Sequence, residues 1–172
     1  VKKAARSIDN LEFGTEFTVG YMLNGVSVKE PIEAGVYTVV IEGVGNYTGQ
    51  IASVPDFTIE PKSVTSEDVT VTLDPTSAEY TGSAIEPKVT VKDGNTTLTA
   101  ETDYKVAYAN NTNVGTATIK VTGLNNYKDV KEVTFEITPI DITGFTATIA
   151  PESKTYGDSA KPEVTVTDDS SK

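Results

Sequence analysis

The chain repeats itself. Gly115-Thr-Ala-Thr-Ile-Lys-Val-Thr-Gly123, Asn126-Tyr127 and Phe135-Glu-Ile-Thr-Pro139 echo Gly35-Val-Tyr-Thr-Val-Val-Ile-Glu-Gly43, Asn46-Tyr47 and Phe57-Thr-Ile-Glu-Pro61. In both copies the second glycine stands four residues before the tyrosine. A second echo links Leu73-Asp-Pro75, Tyr80 and Pro87-Lys-Val-Thr-Val-Lys-Asp93 to Ile149-Ala-Pro151, Tyr156 and Pro162-Glu-Val-Thr-Val-Thr-Asp168. A period this short means one small unit used several times, and tandem arrays of that kind are usually scaffolds.

The period divides the 172 residues into 1–60, 61–138 and a partial third unit, 139–172, holding only the first strands. Apolar residues alternate with polar ones, which is the period of a half-buried strand. Val69, Val71 and Leu73 share one face, as do Ala117, Ile119 and Val121, and Val133, Phe135 and Ile137. Turn residues fall between such runs. Asn24-Gly25 joins Phe17–Leu23 to Val26–Val28, and Asp93-Gly94 joins Val89–Lys92 to Thr96–Leu98; Asn-Gly and Asp-Gly are strong hairpin signals. Asn110-Asn111 and Asn125-Asn126 mark further turns, and no window carries a capped helix. The expected fold is all-β, with about seven short strands in 61–138 arranged as an antiparallel β-sandwich. The joints at Glu60-Pro61-Lys62 and Thr138-Pro139-Ile140 are short, and proline stiffens them.

Charge and composition remove several functions. The net charge of −11 is spread as −4, −4 and −3 over the three units. With no basic cluster, nucleic acid and anionic lipid are poor partners. Histidine and cysteine are both absent, which removes the commonest general base, the usual serine triad, thiolates and most transition-metal sites. The acidic spots Glu30/Glu33 and Asp168-Asp169 lie in expected turns or at the end of the chain, where solvation explains them better than catalysis. Neither an enzyme nor a cofactor is expected. Oxygen-only calcium sites need no histidine. Yet Glu101-Thr102-Asp103 and Asp93-Gly94-Asn95 match no EF-hand loop, and a hairpin turn accounts for the second. No apolar run approaches the length of a membrane span, and Val1 opens no signal-peptide pattern. The chain reads as an excerpt of a longer array.

Tyr80-Thr-Gly82, Glu86–Gly94, Thr102-Asp-Tyr104, Asn110-Asn-Thr-Asn-Val-Gly115 and Gly123-Leu-Asn-Asn-Tyr127 resemble bacterial Ig-like surface repeats. The first unit, with Phe13-Gly14, Pro31–Tyr37 and Gly43-Val-Gly-Asn-Tyr47, is similar to the MBG domain of YGX type. Tyr156-Gly157 matches that tag, and Phe13 departs from its tyrosine. The resemblance implies tandem Ig-like modules in secreted or wall-anchored bacterial proteins, serving as spacers, stalks or adhesion modules at the cell surface. It transfers no catalytic residue.

The binding alternative rests on a sheet edge or on end loops, above all Asn110, Asn111, Thr112 and Asn113, with protein or glycan as partner. Tyr47 and Tyr127 could stack on a sugar. Their place after Gly-x-x-Asn instead favours rings packed over the end of the unit, with the hydroxyl on backbone. A Lys–Asn isopeptide is disfavoured because Lys88, Lys92, Lys105 and Lys120 occupy the polar phase of their strands. The sequons at Asn46, Asn95 and Asn110 are frequent by chance in a Thr-rich chain. The partial third unit exposes Phe145, Ala147, Ile149, Val164 and Val166 without the strands that should cover them. It is expected to be mobile in isolation, or ordered by packing against its neighbour or by strand pairing with another molecule.

Overall fold

A computed structural model describes residues 11–51 and 54–168. The acidic pair Asp168-Asp169 is therefore described only at Asp168. All regular structure among these residues is β.

The first segment is one sheet of β1 (Phe17–Leu23), β2 (Val26–Val28), β3 (Gly35–Gly43) and β4 (Phe57–Ile59), in the order β2-β1-β3-β4. Asn24 and Gly25 both take positive φ, 51° and 80°, the geometry a two-residue type I′ hairpin needs. The period-2 pattern puts Val19 opposite Ile41 and Tyr21 opposite Val39 on one face. A second sheet to cover that face, expected from sequence, is absent among the described residues. Tyr37, on the same face, is nevertheless fully buried, the one such large side chain of the segment among them, with its hydroxyl donating to the Glu33 carbonyl at 2.7 Å.

The second segment has two sheets. β6 (Val69–Asp74), β8 (Lys88–Asp93) and β9 (Thr96–Thr97) form one, in that order. The other is β10 (Tyr104–Ala109), β11 (Gly115–Gly123), β13 (Val130–Thr138) and β7 (Ser77–Glu79), with β7 parallel to β13. A two-residue parallel pair, β5 (Lys62–Ser63) with β12 (Tyr127–Lys128), ties the joint to the second sheet's end. Both sheets feed one core. Val69, Val91 and Leu98 from the first meet Tyr104 and Val121 from the second, while Leu73 and Val89 pack on Ile119, Phe135 and Ile137. Tyrosine hydroxyls latch the layers, Tyr108 donating to the Pro87 carbonyl at 2.9 Å and Tyr104 to that of Val89 at 3.4 Å.

The turn after β8 sits one residue later than the sequence suggests. Asp93 pairs with Thr96 as a strand residue, leaving Gly94 and Asn95 as the turn, with Gly94 at φ 55°. Asp93 stays in the strand because its carboxylate is engaged there by Lys62 and Tyr127.

The third segment is a hairpin of β14 (Thr146–Ala150) and β15 (Glu163–Thr167). Its register repeats that of β6 and β8: Ala147 faces Val166 and Ile149 faces Val164, as Val71 faces Val91 and Leu73 faces Val89. Every residue of both strands is exposed.

The segments therefore carry complementary halves. β1, β3 and β4 repeat β10, β11 and β13, since Phe17 pairs with Gly43 as Tyr104 pairs with Gly123. Even the approach is shared: Gly14 N donates to Phe17 O as Glu101 N does to Tyr104 O, and Val44 N to Glu16 O as Leu124 N does to Asp103 O. Phe13-Gly14, aligned from sequence with Tyr156-Gly157, thus does the work of Ala100-Glu101.

Candidate functional site

The candidate loop begins where β10 ends. Asn110 takes φ 58° and turns the chain, a conformation asparagine tolerates better than most residues. Asn111 is structural. Its amide nitrogen donates to the Ile85 carbonyl at 3.1 Å, and its own carbonyl accepts from Ile85 N at 2.8 Å. Thr112 and Asn113 are exposed beside Val114, lining an open, mainly polar depression. Of the four residues named from sequence, Asn110 and Asn111 shape the loop, and all but the half-buried Asn111 face solvent.

The equivalent loop of the first segment is occupied. By the spacing from Gly35 and Gly115, Glu33-Ala34 stands where Asn113-Val114 stands. Ala34 N donates to Asn126 Oδ1 at 2.6 Å, and Asn126 Nδ2 donates to the Glu33 carboxylate. Asn126 belongs to the Gly-x-x-Asn-Tyr turn of the second segment, so this loop and that turn form the joint between the two segments. Lys62 N donates to Asn126 O at 2.9 Å, Val64 N to Lys128 O at 3.0 Å, and Lys128 approaches Glu60 at 3.8 Å. Sequence reasoning missed this contact because its partners lie 92 and 93 residues apart.

The Gly-x-x-Asn-Tyr motif has a steric origin. After Gly123 the chain doubles back, Tyr127 N donating to Leu124 O and Gly123 N to Asp129 O, each at 2.9 Å. A Cβ on Gly123 would lie 2.6 Å from Lys128 N, and one on Gly43 would lie 2.9 Å from Thr48 N. Only glycine fits. Tyr127 packs on the core as expected, but its hydroxyl donates to Asp93 Oδ2 at 3.1 Å rather than to backbone. Asp93 Oδ1 pairs with Lys62 Nζ at 2.6 Å, and Asp68 pairs with the same amine at 3.3 Å. Burial, then the Asp93 contact, raises the Tyr127 pKa. The Asp93 hydrogen bond is the main cause raising that of Lys62.

The acidic stretches weighed for calcium have protein partners. Asp103 accepts from Thr99 N at 2.7 Å, and among the described residues no three acidic side chains converge as a metal site would require. Lys88, Lys92 and Lys105 are exposed as their strand phase demands, and so is Lys120, which meets Glu132 at 2.8 Å. Lys131 was not weighed from sequence; its amine donates to the Val69 carbonyl.

A second depression opens at the end of the first sheet, lined by Leu11, Phe17, Ile41, Tyr47 and Ile51, and mainly apolar. The matching positions Tyr104, Val121 and Tyr127 are covered by Val64, Val69, Val91 and Leu98. Among the described residues no second sheet covers this depression. The signal was present in sequence, since 11–60 echoes only the later strands of a unit. No helix among the described residues is long and apolar enough to cross a membrane. No protein-family profile, curated protein or solved structure matches the chain.

Proposed function

We propose that the chain is a run of tandem Ig-like β-sandwich modules acting as a non-enzymatic extracellular spacer or adhesion module of a bacterial surface or secreted protein. The observation that carries this reading is the joint. Asn126 clamps Glu33 and Ala34 while β5 pairs with β12, so consecutive units are held by hydrogen bonds rather than by a slack tether. A spacer needs that stiffness. The resemblance to bacterial Ig-like and MBG-type repeats and the even acidity point the same way. Spin labels on cysteines replacing Thr38 and Lys120, one in each unit, should give a narrow distance distribution that broadens in Asn126→Ala. An equally broad distribution in the parent chain would remove the spacer reading.

The second reading is a protein- or glycan-binding module using the loop at Asn110, Asn111, Thr112 and Asn113. Its support is the exposed depression beside Thr112 and Asn113. A glycan array and pull-downs on host and bacterial surfaces distinguish the two. Saturable micromolar binding lost in Thr112→Ala or Asn113→Ala selects the binding module, and its absence selects the spacer.

A further inference from the structure

Both joints of the second segment fall beside the same stretch of strand. Pro61 precedes β5, which pairs with β12 at Tyr127, and Pro139 follows Thr138, the last residue of β13. The chain from β5 through β6 to β7 therefore advances from one joint toward the other, and both of its pairings with Tyr127–Thr138 are parallel. A pull on the chain draws Lys62 toward the first joint and Thr138 toward the second. Parallel strands drawn in opposite senses slide along their axes, so the ladder bonds slanting across them are strained together rather than opened one by one. We propose that 61–138 is a tension-bearing module whose first and last strands form a shear clamp between the two joints. The proposal rests on the spacer reading and adds a mechanical load to it.

The clamp has two ends and a tie between them. At the first joint Lys62 N donates to Asn126 O at 2.9 Å and Val64 N to Lys128 O at 3.0 Å, and Val64 is fully buried. Lys62 Nζ holds Asp93 at 2.6 Å, and the Tyr127 hydroxyl donates to the same carboxylate at 3.1 Å. Side chains of β5, β8 and β12 are thus stapled where tension enters. At the second joint Ser77, Ala78 and Glu79 pair with Glu136, Ile137 and Thr138. Tyr80 N donates to Thr138 O at 2.9 Å, and Thr138 Oγ1 donates to the Ala78 carbonyl at 3.4 Å. Ile137 is fully buried there, with Ala78 and Tyr80 packed on its cluster, so water has little access to replace a strained bond. Between the ends, the Lys131 amine of β13 donates to the Val69 carbonyl of β6. It joins the first and last strands directly across the two sheets.

The β10–β11 hairpin is the internal contrast. Its ladder runs from Tyr104 and Gly123 to Ala109 and Thr118, and Asn110 begins the turn beyond. Drawn apart at Lys105 and Thr122, this hairpin opens from its free end one bond at a time. The rate at which a fold yields to force is set by its unfolding barrier rather than by its equilibrium stability. The two directions of pull therefore meet different barriers in the same protein.

Pulled out to full extension, 61–138 should lengthen the chain by about 240 Å, its extended length less the roughly 40 Å that Tyr127–Thr138 spans as strand. A step of that size identifies the second segment in a pulling record.

The chain has no cysteine, so cysteines appended at its two ends take the handles for single-molecule pulling of the full chain. The step assigned to 61–138 should rupture at a force several-fold above that needed when Lys105→Cys with Thr122→Cys is pulled across β10 and β11. Ala78→Pro takes a backbone donor from the β7–β13 ladder and should lose most of that excess. Leu98→Ala, buried in the core outside the first and last strands, should keep most of it while lowering the urea midpoint. Because Ala78→Pro can fail to fold, Lys131→Met is measured beside it. That variant keeps the apolar stem, removes the tie to the Val69 carbonyl, and should lower the rupture force with little change in midpoint. Equal forces in the two directions of pull would overturn the proposal, as would forces that follow the urea midpoint whatever the position substituted. Narrow spin-label distances with a low end-to-end force would refute the clamp and leave the spacer standing; broad distances with a high force would do the reverse.

Discussion

At the scale of single residues, the most exacting positions are the glycines that let the chain fold back on itself. Gly123→Ala forces a methyl to 2.6 Å from Lys128 N, where backbone and not a flexible side chain must yield. A cost of about 1–3 kcal/mol is expected, as for other overpacked sites, read as a lowered urea midpoint for 61–138. The tyrosines set the response to alkali. Burial is the first cause raising the pKa of Tyr104, Tyr108 and Tyr127. A group whose folded pKa lies above its unfolded value contributes stability that is intact below the unfolded value and lost as pH climbs through the folded one. Lys62, raised mainly by its hydrogen bond to Asp93, has the same sign. The second segment should therefore hold its stability from neutrality to about pH 10 and weaken above that, the tyrosine reference value. Tyrosinate absorbance should rise together with unfolding, and Tyr127→Phe should remove part of the alkaline loss at a cost of about 1 kcal/mol at pH 7.

At the scale of strands, identical patterns have different consequences according to what covers them. Phe57 and Phe135 open the same Phe-x-Ile motif, yet only Phe135 is enclosed. Phe135→Ala should cost about 3–5 kcal/mol, as for other buried aromatics, and Phe57→Ala clearly less in dilute monomer. Equal penalties by urea titration would show that the first sheet is covered after all. The alternation itself was legible: Val69, Val71 and Leu73 face the core, as do Ala117, Ile119 and Val121, and Asn24-Gly25 turns where its residue types dictate. Local chemistry carries such signals. What stayed hidden depends on partners far along the chain. Asp93 remains in its strand because Lys62 and Tyr127 hold it, and a hairpin rule cannot see them. The spacing from Gly35 and Gly115 aligns Glu33–Ala34 with Asn113–Val114, but that the first of these loops is held by Asn126 depends on a partner more than 90 residues away.

At the scale of the whole molecule, stability should be graded along the chain. The second segment buries Val64, Val69, Val91, Ile119, Val121, Phe135 and Ile137 completely or nearly so. The first fully buries only Tyr37 among its large described side chains, and no residue of the third segment's strands is buried. Fewer than about 60 residues, with no second sheet over one face among those described, bury too little apolar surface to be robust alone. In dilute monomer, amides of Val39–Ile41 should exchange faster than those of Thr116–Val121, and those of Thr146–Ile149 and Val164–Val166 faster still. Sheets open locally when few buried contacts hold them. Urea should accordingly release the first segment before the second, in two resolved steps. One coincident transition would mean that the Asn126 joint couples the units more strongly than their separate cores suggest.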